Sequence, residues 1–190
     1  MAKLTFKSAF IYPFNRPKGL LNALWIFLPI IGWFALGGYG IRIVKEFLKG
    51  KFRQLPVFNF NKDLKLGFFM FLKAIPFILV YVLVINLIES FVNVIGITQM
   101  LTTVIDYFIS LFIIPLLTIN FFKKETISSY FEFKILKSII NNLNDYIVVL
   151  LKSLALAIIF FVMIIVLVGF PASIFTQNIF FADFYRQFVK

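Results

Sequence analysis

Two polar constellations stand inside otherwise apolar sequence, and both have the makings of a proton or cation site. Asn86, Glu89 and Asn93 fall at i, i+3 and i+7, on one face of a helix, with Ser90 beside them. Asp106 and Ser110 fall at i and i+4 on the next helix. One carboxylate on each arm of a hairpin suits an ion or proton path, because an acid held in hydrocarbon is costly and marks function by default. Position argues against this for Glu89. At 1.5 Å per residue it lies about 24 Å along a helix from Lys73, at the far interface, where a carboxylate is readily solvated. The expectation for these residues is therefore an interfacial, solvated role. An ion path and hydrogen bonding between helices are the alternatives.

Other chemistry-bearing residues carry plainer expectations. Gln177 and Asn178 sit midway along the last apolar segment, where amides bond neighbouring helices more readily than a substrate. Asp183 and Arg186, at i and i+3, read as a weak surface pair. Gly37-Gly38-Tyr39-Gly40 followed by Arg42 lacks the Lys-Ser/Thr and the preceding strand of a phosphate loop, so the glycines are expected to let helices pack closely. Arg42, Lys45, Lys49 and Lys51 read as the basic side of an interfacial helix, with Ile41, Val44, Phe47 and Leu48 toward the bilayer. Lys45, Lys49, Lys51, Lys134 and Lys137 are the expected contacts to anionic lipid. Trp33, beside a break at residues 29–32, must find a partner for its N–H.

The chain has no Cys and no His. Thiolate and imidazole metal sites, Cys nucleophiles, His bases and disulfides are therefore excluded. No catalytic residue, metal ligand or cofactor is assigned, and an enzyme is not expected. Hydrophobic residues make up 62% of the 190 and charged residues only 14%, too apolar for a soluble domain of this size. The net charge of +11 then fits an anionic leaflet better than nucleic acid.

Charge-free stretches mark the elements that must position these residues. They run over residues 19–41, 74–88, 107–122 and 153–182, the second extendable back to Leu66 and the third to Met100. The last is too long for one helix and is broken by Gly169-Phe170-Pro171. The start is not expected to be a signal peptide. All nineteen Lys and Arg fall outside the turn after residue 88 and the turn at Gly169. They share one side if each apolar unit goes in and comes back, and the positive-inside rule makes that side the cytoplasm, with both termini there. The first unit, with Pro29 and Gly32 at its centre, is expected to re-enter rather than cross once.

The predicted fold is an all-α integral membrane protein of three short helical hairpins with interfacial amphipathic helices. It reads as one membrane domain over 1–190 with weak repeat units 1–57, 58–122 and 123–190. Aromatic-basic lead-ins at Phe6, Phe58 and Phe131 precede the units. The clearest spans residues 131–145, with an apolar stripe of Phe131, Ile135, Leu136, Ile139, Ile140 and Leu143 that suits an in-plane helix.

Three stretches carry a resemblance. Tyr12-Pro13-Phe14 precedes Leu28-Pro29-Ile30-Ile31-Gly32. Gly38, Tyr39, Arg42, Gly50, Leu55 and Pro56 follow in order. Asn142 to Tyr146 opens the last unit, and Ala182 to Arg186 closes the chain. In these the chain resembles a prokaryotic membrane family catalogued as domain of unknown function 4013. The resemblance implies an all-helical protein of the prokaryotic cytoplasmic membrane and brings no activity. The closing Ala-Asp-Phe-Tyr departs from the more neutral helix expected there. The functional expectation is a non-catalytic structural or interaction subunit of a membrane complex, with a membrane protein partner or its own copies. A small transporter or channel, as an oligomer, is the alternative.

Overall fold

The computed structural model describes residues 3–95 and 99–189, with the side chains of 93–95, 99 and 166 left aside; Asn93 thus lies outside the described side chains. Among the described residues there are helices and no strand. Thr5 caps α1 (Phe6–Ile11) through a reciprocal pair with Ser8, each side chain accepting the other's backbone N–H at 3.1 Å. Pro17 opens the single turn α2 (Pro17–Leu20), which runs into a 3₁₀ helix over Leu21–Phe27.

The chain then breaks where Pro29 and Gly32 predicted. Ile30 takes φ +65, a strained value for a β-branched residue, and α3 (Ile31–Leu48) starts directly after it. Gly32 is needed here, because a Cβ would lie 1.8 Å from the Trp25 carbonyl oxygen. Trp33 Nε1 finds its partner by donating to Ile26 O at 2.9 Å, which ties the two limbs together. Gly50, at φ +74, ends α3 with Lys51 N–H returning to Glu46 O at 2.9 Å.

The helix α4 (Phe60–Ile95) is 36 residues long, about 54 Å, well beyond a hydrocarbon core of about 30 Å. The lead-in at Phe58–Lys62 is therefore no separate interfacial helix: Asn59 caps α4 by accepting Lys62 N–H at 3.1 Å, and Phe60 is its first residue. The charge-free run over residues 74–88 is only part of a much longer helix.

The return arm is α5 (Gln99–Phe108), a π-helical stretch over Ile109–Ile113, and α6 (Ile114–Lys124). Pro115, which has no N–H to donate, stands just after the π turn, as such local register changes accommodate. Tyr146 donates to the Phe112 carbonyl from outside at 2.9 Å.

The expected in-plane helix at residues 131–145 is replaced by shorter pieces. They are a 3₁₀ helix at Phe133–Leu136, α7 (Lys137–Asn141), and the start of α8 (Leu143–Val162). Asn142 leaves helical geometry and its side chain turns back to Ser138 O at 3.0 Å, a competition with the backbone that Asn favours. The stripe splits: Ile139 is buried, while Ile140 and Leu143 are exposed.

After α8 the chain reverses at Leu167, with φ +62, and returns through α9 (Gly169–Thr176) and α10 (Ile179–Phe188). Gly169 sits so close to the end of α8 that a Cβ would meet Phe160 O at 2.0 Å. Three helical stretches are long and apolar enough to cross a membrane: Phe60–Val92, Met100–Lys124 and Leu143–Ile165. The core gathers around buried Tyr12, Tyr39, Phe47, Tyr146, Phe160, Phe184 and Tyr185, drawn from both ends of the chain.

Candidate functional site

The closest helix crossing sets the site. A Cβ on Gly38 would lie 1.9 Å from Asp63 O, and one on Gly67 1.8 Å from Phe34 O, so α3 and α4 touch backbone to backbone. One turn later Arg42 grips Asp63, which has no exposed side-chain surface. Nε and Nη2 each take one carboxylate oxygen, the latter at 2.7 Å, and Nη2 also donates to Val57 O at 2.7 Å. Asn59 N–H donates to the same carboxylate at 2.8 Å. With both oxygens satisfied, the ion pair can be held out of water.

The linker between α3 and α4 is clamped by the remaining motif residues. Tyr39 OH donates to Pro56 O at 2.9 Å, Arg16 to Leu55 O at 3.0 Å, and Asn15 to Arg53 O at 2.6 Å. Leu55 is fully buried. Gly38, Tyr39, Arg42, Gly50, Leu55 and Pro56 thus act as one structural unit that fixes how α3 meets α4. The helix face expected to look at the bilayer does not: Ile41, Val44 and Phe47 are buried and Leu48 is packed against the core. Val44 and Phe47 join the cluster that holds Phe184 and Tyr185 of α10, while Ile41 packs with Met70 of α4 and Leu117 and Phe121 of α6.

Beside this crossing lies a cleft of about 590 Å³. Arg42 and Lys45 line it from α3, Lys49 from its C-terminal cap, and Lys62, Lys65 and Lys73 from α4, with Leu66, Phe69 and Pro56 as an apolar floor. Glu46 and Glu125 are the carboxylates in its wall. Lys45 is paired with Glu125, whose carbonyl accepts from Lys73 at 2.8 Å, and Glu46 faces Lys51 at 3.6 Å. Of the lipid contacts expected from sequence, Lys45 is thus half-buried in an ion pair, while Lys49, Lys51, Lys134 and Lys137 are exposed.

A second network ties the ends of the chain to the bundle. Asp183 and Arg186 are no surface pair: their side chains are 6% and 10% exposed, at 2.6 Å. Asp183 also accepts from Leu4 N–H at 3.0 Å and from Gln187 at 2.7 Å, while the Arg186 guanidinium lies over the Phe52 ring. Tyr185 OH donates to Asn120 Oδ1 at 2.5 Å, and burial pushes its phenol up to about 12, so it remains a donor at any physiological pH. Asn120 continues to Ser129 O at 2.7 Å and to Glu132. The hydrogen bond from Lys124 holds the Glu132 carboxyl below its ordinary value.

The structure separates the two membrane acids. Tyr81, which sequence spacing missed, donates across the hairpin to Asp106 and lies 3.3 Å from Ser110 Oγ. Glu89 is exposed with no ion pair among the described residues, and Asn86 donates to its own helix at Val82 O, 2.7 Å away. Gln177 and Asn178 fall at the break between α9 and α10. They line a cavity of about 660 Å³ with Ser110, Ser153 and Ser173. Among the described residues no group of acidic side chains could hold a metal ion.

Fold and site together define an all-helical protein with three helices long and apolar enough to cross a membrane. The chain belongs to the family of proteins of unknown function DUF4013, which it matches over residues 21–169. The clamp from Gly38 to Pro56 lies within that match, whereas Tyr12-Pro13-Phe14 and the closing Ala182 to Arg186 lie outside it. No curated protein and no solved structure matches the chain.

Proposed function

We propose that this chain is a non-catalytic structural or interaction subunit of a membrane complex. In this reading it sits in the cytoplasmic membrane of a prokaryotic cell, with both termini and the basic loops on the cytoplasmic side against anionic headgroups. The observation that carries it is how little of the spans the chain covers for itself. Only 6% of the most apolar window of α4 is buried, and 11% in each of the other two spans. Tyr81, Asn86 and Tyr146 in these spans find partners within the chain, at Asp106, Val82 O and Phe112 O. What remains outward is bare apolar helix, suited to lipid and to partner helices.

The first unit is a re-entrant hairpin in this reading, its limbs being Leu21–Phe27 and α3. The bond from Trp33 to Ile26 O and the close seat of Gly32 on Trp25 supply the protein neighbours that a break at membrane depth requires.

The test is gentle detergent extraction followed by native mass spectrometry of the full chain. A complex of fixed stoichiometry, with itself or with a second membrane protein, is expected. A uniform monomer carrying only lipid would overturn the reading. One observation favours the transporter alternative: the 660 Å³ cavity beside the central hairpin, lined by Gln177, Asn178 and the Ser153 hydroxyl, which has no hydrogen-bond partner among the described residues.

A further inference from the structure

The geometry points to a built site, in the cleft between α3 and α4, for the headgroup of a phospholipid that carries more than one phosphate. Two helix faces make it. Lys45 stands on α3 and Lys49 at its C-terminal cap, and Lys62, Lys65, Phe69 and Lys73 fall at i, i+3, i+7 and i+11 on α4, one stripe facing the cleft.

The charges are not balanced within the fold. Lys45 is neutralised by Glu125, and Glu46 is engaged by Lys51. Lys49, Lys62 and Lys65 have no carboxylate partner among the described residues, and Lys73 rests on the Glu125 carbonyl rather than on a carboxylate. Four ammonium groups around about 590 Å³ therefore favour an anion of more than one charge. A single phosphodiester, with one negative charge, leaves three of the four unanswered, while two phosphodiesters answer half of them and can reach lysines on both helices.

The floor decides between a lipid and a free polyphosphate. Leu66 and Phe69 line it, and Phe69 is 48% exposed on the same outer surface as the exposed Phe68 and Leu72. Polyanion recognition thus passes directly into a hydrocarbon-facing wall, as a headgroup with attached acyl chains requires. The ion pair of Arg42 with the buried Asp63 ties the two helices together at fixed spacing beside the cleft, so the cleft is a shape and not a loose patch. This inference rests on the reading that the basic ends lie at an anionic leaflet, but it adds a stoichiometric site to what would otherwise be diffuse attraction.

The test uses the full chain in a neutral, phosphate-free detergent, with cardiolipin as the two-phosphate lipid and phosphatidylglycerol as the one-phosphate comparison. Native mass spectrometry reads bound lipid and assembly state together, so failure of this site and failure of the subunit reading appear separately. One cardiolipin per chain should bind more tightly than phosphatidylglycerol. Lys49→Gln/Lys62→Gln/Lys65→Gln should weaken it by about tenfold or more, and the matching Arg triple should retain it. Lys7→Gln/Lys18→Gln/Lys137→Gln, exposed cations that do not line the cleft, should weaken it less than about twofold. Equal losses in the two Gln triples, or equal binding of the two lipids, would overturn the site. Displacement of the lipid by inorganic pyrophosphate at equal concentration would assign the cleft to a free polyphosphate instead.

Discussion

Gly37, Gly38 and Gly40 share one helix and nearly one sequence neighbourhood, yet they face different surroundings. A methyl group on Gly38 meets backbone at 1.9 and 2.8 Å, and backbone cannot swing aside as a side chain can. A methyl group on Gly37 or Gly40 would meet nothing within 4 Å. Gly38→Ala should therefore cost about 1–3 kcal/mol or more, by forcing α3 and α4 apart. Gly37→Ala and Gly40→Ala should be neutral or gain up to about 1 kcal/mol from helix propensity. Unfolding midpoints of the three variants in one detergent decide this, and equal losses at all three positions would remove the close crossing. The sequence made the packing role of this glycine run legible but not which glycine performs it. That depends on the rotation of α3 about its axis, which Arg42 sets by reaching Asp63. The same limit explains Asp183 and Arg186: spacing paired them correctly, but their burial comes from Leu4, Phe52 and Gln187, two of which are remote in sequence.

The apolar segments and the breaks near Pro29 and Gly169 were readable from charge-free runs and from Pro and Gly, because those signals are local. Helix ends were less readable. Charges at Lys62, Asp63 and Lys65 do not stop α4, since a helix continues through its interfacial turns when its own backbone bonds are good. The stripe in 131–145 failed as one helix because Asn142 and 3₁₀ turns of three residues break the 3.6-residue period. Tyr81 was invisible because it meets Asp106 across a separation of 25 residues, fixed only once the register of the central hairpin is known. That contact makes an element-level prediction. Tyr81→Phe and Asp106→Ala should couple by about 0.6–1.7 kcal/mol in a double-mutant cycle of hairpin stability. Asp106→Asn, which keeps an acceptor for Tyr81, should leave stability and assembly unchanged. Zero coupling, together with a proton current in reconstituted bilayers that Asp106→Asn abolishes, would put the transporter reading first.

For the whole molecule, charge segregation has a structural counterpart. The basic ends of separate elements meet through Lys45 and Lys73 at Glu125, Lys3 at Asp145, Lys124 at Glu132, and the Asp183 cluster at Leu4. Glu89 and Ser90 stand far along α4 from that group of contacts. If the basic ends share the cytoplasmic side, every element carrying them must return to it, the first unit included. Because the chain has no cysteine, one introduced thiol at a time reports its own side without background. Lys7→Cys, Gln54→Cys and Ser128→Cys, all at exposed positions, should resist a membrane-impermeant thiol reagent in intact cells and react after permeabilisation. Ser90→Cys should react in intact cells. Reaction at Lys7→Cys alone among the first three would mean that the first unit crosses once, which would undo the re-entrant hairpin while leaving the central hairpin in place. Reaction at Gln54→Cys or Ser128→Cys would instead overturn the shared basic side, and with it the anionic leaflet on which the lipid cleft depends.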